Sequence, residues 1–273
     1  MMVSVIAERI NAERLALLGW SRAILLQMAH PLIAAGVAEH SSFRASPIAA
    51  VSRLRETVRA MLALTFGDPI AHGHAIARIK AIHTRVRGEL REATGVFPAG
   101  TPYSAEDPAL LLWVHATLLE SVVLVYDQLV SPLSESERDE YLVEAAEVAI
   151  ALGARSEELP RTWPALVAYL ESQYASGRIA VGPDARMVVD AVMFPPLSAI
   201  SGPFAWVNRV ITIGLLPPFV REQYQYTWPA SRERHFQRAT GGIRSLRRMT
   251  PRAIAHWPEA RAQTRAEGKG QRP

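Results

Sequence analysis

One histidine interrupts an aliphatic stripe in RIKAIHTRVRG, residues 78–88. On a helix, Ile76, Ile79, His83, Val86 and Leu90 recur every three or four residues and so share one face. A buried imidazole must satisfy two ring nitrogens, through hydrogen-bond partners or through a metal ion. His115 has the same setting among Leu111, Leu119 and Val122, as has His30 among Leu26, Ile33 and Val37, while His40 follows Glu39 near a helix end. A second constellation lies upstream. In SRLRETVRAML, Arg53, Thr57 and Met61 fall at i, i+4 and i+8, which puts a cation and a hydroxyl on one face beside apolar residues. Such a pair either turns to the surface, the arginine snorkelling and the threonine bonded to its own helix, or projects into an apolar cavity and hydrogen-bonds a ligand. Spacing leaves both open, as it leaves each histidine open between a hydrogen-bonded core residue and a ligand.

Other chemistries lack their motifs. The 273-residue chain has no cysteine, which removes disulfides, thiolate nucleophiles, Fe–S clusters, Cys-ligated zinc and covalently attached c-type haem. There is no HExxH, and none of the eight histidines has a glutamate three residues before it. Neither the zincin pair nor the Glu-x-x-His pair of di-iron bundles is therefore present. GxGxxG, Walker and G-x-S-x-G motifs are missing too.

The elements that must position these side chains read as helices. ASPIAAVSRLRETVRAMLALTFGD offers Ser46 as N-cap and Pro47 at the first helical position. GDPIAHGHAIARIKAIHTRVRG repeats the device with Asp68 and Pro69, and Gly88 reads as its C-terminal stop. SAEDPALLLWVHATLLESVVLVYDQLV starts at Asp107 and Pro108. LSESERDEYLVEAAEVAIALG sets Ser134 and Glu137 at capping-box spacing and ends at Gly153. Ala23 to Ala38 is helical in period, with Pro31 ending or kinking it. Strand signals are nearly absent, GRIAVG (177–182) being one short candidate. Prolines between Ala191 and Pro229 cut the helices there into shorter pieces. The fold class expected is all-α: one domain over residues 1–256 and a basic, disordered tail over 257–273.

Hydrophobic residues make up 49% of the chain and charged ones 21%, enough apolar matter for a sizeable core. The +4 net charge is uneven: Ser231 to Pro273 carries 11 Lys+Arg against 3 Glu, leaving the remainder acidic. That end reads as a solvated extension, or as a segment that binds anionic membrane or nucleic acid; no nucleic-acid motif accompanies it. Leu110 to Val130 carries His115, Glu120 and Asp127, and Ser198 to Val220 carries prolines and Arg209. Both read as buried segments, so no membrane span is expected. The opening MMVSVIAERINAERL has charges inside its first apolar run and no small-residue cleavage pattern, so the reading is a cytoplasmic protein.

Seven segments in order carry a resemblance: LLQMAHPLIAAGVAEHSSFRASP, then Arg53-x-x-x-Thr57, FGD (66–68), IHTRVRG, YSAEDPALLLWVHATLLES, PLS (132–134) and LLPPFVR (215–221). Over roughly Ser21 to Thr250 the chain resembles the DUF2236 family, which includes the MpaB oxygenase and the catalytic domain of latex-clearing rubber oxygenases. The resemblance implies an all-α, globin-like core that holds b-type haem non-covalently. It places His83 at the position of the proximal iron ligand, Arg53 and Thr57 at the haem-pocket arginine and threonine, and Glu39 at a pocket acid. Ile79 and the His115 helix would line the porphyrin slot.

One departure is informative. Rubber oxygenases resembling this chain carry a lysine immediately before the threonine, on the distal side of the haem; here that residue is Glu56. The resemblance thus implies a haem b oxygenase using dioxygen on a small hydrophobic molecule, such as an alkene or isoprenoid. Two alternatives stand beside it: a non-catalytic haem-binding or haem-sensing protein, and a haem-free helical protein that binds a hydrophobic ligand.

Overall fold

Helices begin where capping chemistry puts them. The structure, a computed structural model, describes residues 5–40, 47–193 and 202–262. Asp68 accepts the Ala71 N–H at 2.8 Å and Asp107 accepts that of Ala109 at 2.9 Å, each just ahead of a proline in the first turn. These caps open α5 (Pro69–His83) and α6 (Pro108–Leu129). Ser134 and Glu137 form the expected capping box of α7 (Glu135–Leu152), which Gly153 closes at φ +115°. Pro31 separates α2 (Ala16–Met28) from α3 (Pro31–His40), and α4 runs Pro47–Phe66; Ser46, its expected N-cap, lies outside the described residues. The remaining helices are α1 (Val5–Asn11), α8 (Trp163–Ala175), α9 (Pro183–Met193), α10 (Gly202–Gly214), α11 (Pro218–Gln223), α12 (Ala230–Met249) and α13 (Arg252–Ala255).

The molecule is mostly helical, and its centre is α6. That helix is long and apolar enough to cross a membrane by length and composition, yet it buries Trp113, Ala116, Leu119, Val122 and Val123 inside the main core. It is a core helix. Its most intimate partner is α2, where Gly19 comes so close that a Cβ would stand 2.9 Å from the Ser121 carbonyl oxygen and 3.0 Å from Val122 Cα. Gly19→Ala should therefore lower stability despite alanine's helix preference of about 1 kcal/mol. Overpacking against backbone costs about 1–3 kcal/mol, so a lowered urea midpoint at unchanged slope is the expected result. The same interface holds a buried charge: Arg22 pairs with Glu120 and donates to Ser121 Oγ at 2.6 Å and to the Leu215 carbonyl at 2.7 Å.

Three features depart from the sequence reading. The helix through RIKAIHTRVRG ends at His83, and Gly88 does not stop it; Arg87–Glu89 forms strand β1, antiparallel to β2 (Pro102–Ser104), with Gly88 opposite Tyr103. The small hairpin wins because Ala105 N–H bonds the Val86 carbonyl at 2.9 Å and Leu90 N–H bonds that of Thr101 at 2.8 Å. Gly88 is needed for closeness, since a Cβ there would lie 2.6 Å from the Tyr103 hydroxyl. The five-residue stripe consequently splits: Ile76, Ile79 and His83 stay on α5, while Val86 and Leu90 join Leu32, Tyr103 and Leu110 in another cluster.

GRIAVG forms no strand. Its Ala180 N–H goes to the Ala29 carbonyl at 2.8 Å and its Val181 N–H to the Gln223 side chain at 2.8 Å, not to a ladder. At the C-terminus, packing runs past residue 256: Trp257 N–H bonds the Ala12 carbonyl at 3.0 Å, Arg14 lies over the Trp257 ring, and Ala260 is buried. Much of the C-terminal positive charge sits on α12, an ordered helix.

Candidate functional site

His83 is the last residue of α5, half-buried, with a buried Nδ1 that finds no hydrogen-bond partner among the described residues. Burial lowers its pKa, against a weaker opposing pull from the Glu106 carboxylate, so the ring is neutral at pH 7. A buried nitrogen of this kind costs about 1–3 kcal/mol when left unpaired. Ile79 stands half-buried one turn earlier, yet α5 has no fully buried side chain at all. Its aliphatic face, beside α4 and α7, is only half covered.

Across from it, α4 brings Glu56 within 3.4 Å of Arg78 on α5, an exposed ion pair. Thr57 is exposed, whereas Met61, one turn on, packs against the core. The anticipated Arg53–Thr57–Met61 face is thus divided between surface and interior. Arg53 belongs to α4, but its side chain lies outside the described residues.

His115, midway along α6, is pushed down to about 4 by burial and by the Arg161 cation. His83 feels Glu106 instead, so the two rings occupy different surroundings. Among the described residues no three His, Asp or Glu side chains converge as metal ligands; a haem iron requires only one protein ligand.

Glu39, at the end of α3, has partners of its own. Its carboxylate accepts the Tyr103 hydroxyl at 2.7 Å and pairs with Arg91 at 3.6 Å. The Tyr103 hydrogen bond, and then Arg91, hold the Glu39 carboxyl below its ordinary value. Glu39 lines a cavity of about 110 Å³ together with Ala38, Glu89, Arg91, Asp184 and Met187. That space is small beside the roughly 300–1,000 Å³ of cofactor and ligand sites, and its charged walls suit water more than an apolar molecule. Tyr103 and Arg91 reach Glu39 from a strand and a loop, and Asp184 of α9 lines the same cavity; no motif in the sequence announces them.

His30, flagged by period alone, repeats the signature of His83 more deeply. It is 4% exposed, its Nδ1 has no partner among the described residues, and its ring lies 5.3 Å from Phe97. Burial, helped by Arg178, lowers it from 6.5 to about 4. The unfolded chain takes a proton below 6.5 that the folded chain refuses until about 4. Stability is therefore complete above pH 6.5, falls between pH 6.5 and 4, and levels off below. Urea unfolding at pH 7 and pH 5 should show the loss, and His30→Asn should remove about half of it, His115 being lowered to about the same value; an unchanged pH dependence in the variant would contradict this.

A family model described as ER-bound oxygenase mpaB/B'/Rubber oxygenase, catalytic domain, matches residues 8–245. Two mycobacterial proteins are similar: Uncharacterized protein Mb2261 of Mycobacterium bovis and Uncharacterized protein Rv2237 of Mycobacterium tuberculosis. Each is 26% identical over 243 residues, covering 85% of this chain and 88% of the relative. No solved structure matches the chain.

Proposed function

Because the chain belongs to the family of the ER-bound oxygenase mpaB/B' and rubber oxygenase catalytic domains, we propose that it is a haem b-dependent oxygenase. Its substrate in this reading is a small hydrophobic molecule, such as an alkene or isoprenoid, that reacts with dioxygen. The observation that supports the cofactor is His83, a neutral imidazole whose buried Nδ1 has no hydrogen-bond partner among the described residues. A half-buried neutral imidazole is a donor that haem iron takes through one ring nitrogen, the other then needing an acceptor.

When bound, the haem would supply the activation of dioxygen. The chain's own residues do the rest. In this reading Ile79 and the His115 helix would be the apolar residues that hold the porphyrin, in a globin-like helical arrangement. The Arg53 cation would hold a haem propionate through charge-assisted hydrogen bonds, with Thr57 one turn further on α4. Glu39, held as carboxylate by Tyr103 and Arg91, would contribute a fixed negative charge.

Glu56 favours a second reading. It stands where related rubber oxygenases place a distal lysine, and Arg78 lies 3.4 Å from it, so that position offers no cation to a bound ligand. A haem-binding protein without turnover would tolerate this. Oxygen uptake by the haem-reconstituted protein, with a panel of apolar alkenes and an electron donor, separates the two. Uptake coupled to an oxygenated product supports the oxygenase; a tight haem complex with no uptake supports the second reading; absence of any complex sinks both.

A further inference from the structure

The described residues expose eight large hydrophobic side chains, and four of them gather at one end of the sequence: Trp206, Leu246, Met249 and Ile254. Leu246 and Met249 are three residues apart on α12, one above the other on its outer face, at 62% and 75% exposure. Gly242, one turn before Leu246, belongs to the same face, and a Cβ there would meet nothing within 4 Å. Continuing along the helix, Arg238 and Arg234 follow at four-residue steps, and His235 carries the face to Trp206 on α10, whose ring is 6.4 Å away. Ile254 on α13 is 62% exposed just beyond. The opposite face, with Phe236, Thr240 and Ile243, packs inward.

Charge tells this face from the other exposed apolar pair. Val143 and Ile150 on α7 stand in line with Glu140 and Glu147, both exposed. On α12 the only acid is Glu233, whose carboxylate is taken up by Trp228 at 2.8 Å and Gln237 at 2.7 Å. Arg247 is committed to Glu13 inside the fold. Arg234, Arg238, Arg248 and Arg252 are exposed and form no ion pair with an acidic side chain among the described residues.

We propose that the outer face of α12, continued by Trp206 and Ile254, is a peripheral docking surface for an anionic lipid bilayer. Guanidinium groups reach the phosphate headgroups while Leu246, Met249 and Trp206 enter the boundary with the acyl chains. Exposed arginines alone would serve a nucleic acid equally well. The apolar residues between them decide for lipid, because leucine and methionine gain nothing along a phosphate backbone but partition into a bilayer. This surface stands independently of haem binding.

The test is sedimentation of the full chain with phosphatidylcholine vesicles, with and without phosphatidylglycerol, at low and high salt. Binding should need phosphatidylglycerol and weaken with salt. Leu246→Ser with Met249→Ser should weaken it roughly tenfold, and each of Arg234→Gln and Arg238→Gln roughly fivefold. Circular dichroism melting of these surface variants should match wild type. Failure to bind the anionic vesicles overturns the proposal. So does a double apolar variant that binds vesicles as wild type, whether it retains tight binding to duplex DNA or turns a dimer into a monomer on gel filtration.

Discussion

His83→Ala should leave the haem-free protein as stable as wild type, or slightly more so, while haem affinity falls by about 100-fold or more. The two halves of that result have one cause. In the structure His83 is half-buried and its Nδ1 has no hydrogen-bond partner among the described residues, so the folded chain bears the penalty of an unsatisfied nitrogen, about 1–3 kcal/mol. Alanine removes the penalty, and at a helix end with no fully buried neighbour on α5 the lost packing is small. A histidine kept for stability would behave in the opposite way. Loss of outer-shell partners alone costs a metal site about 10–100-fold, and removal of the ligand itself should exceed that. Urea unfolding of the haem-free variant and a haem titration followed at the Soret band read the two halves separately, and free imidazole should restore part of the spectrum. A destabilised variant with undiminished haem affinity would remove His83 from the role.

The second large effect concerns the fold. Arg22 is 2% exposed in its side chain and ties three elements: α2, the Glu120–Ser121 step of α6, and the Leu215 carbonyl after α10. Arg22→Ala leaves Glu120 as a largely buried carboxylate without its cation, along with a serine and a carbonyl short of a donor. Breaking such a buried pair from one side costs about 3–5 kcal/mol, and for a chain of this size that lowers Tm by roughly 10 °C. The control is Arg22→Met combined with Glu120→Leu, which removes both charges and should recover most of the loss. If the double variant is as unstable as Arg22→Ala, the pair's charge is not what the interface depends on. Differential scanning fluorimetry and urea midpoints report both.

Local chemistry was legible in the sequence and long-range chemistry was not. Asp68–Pro69, Asp107–Pro108 and the Ser134–Glu137 box all fall at real helix starts, because a cap is made within four residues of the group it satisfies. Period also found the buried face of α6 and the half-hidden position of His83. It overran at Gly88, since glycine suits a helix stop and a close strand crossing equally; what decided was Tyr103, fifteen residues away and visible only in the pairing. Glu39 was singled out by resemblance, but its partners Tyr103 and Arg91 come from separate segments and leave no common signature. The charge of the C-terminal region was plain from counting, whereas its division between an ordered helix and the residues beyond it depended on how α12 packs.

Haem binding through His83 is the central claim, and one absorption spectrum tests it most directly. Purified wild-type protein is titrated with haem and then reduced with dithionite. The account predicts a Soret band displaced from that of free haem, saturating at one haem per chain and shifting again on reduction, with His83→Ala failing to reproduce it. A spectrum that remains the sum of protein and free haem, or a displaced band that His83→Ala leaves intact, would contradict it.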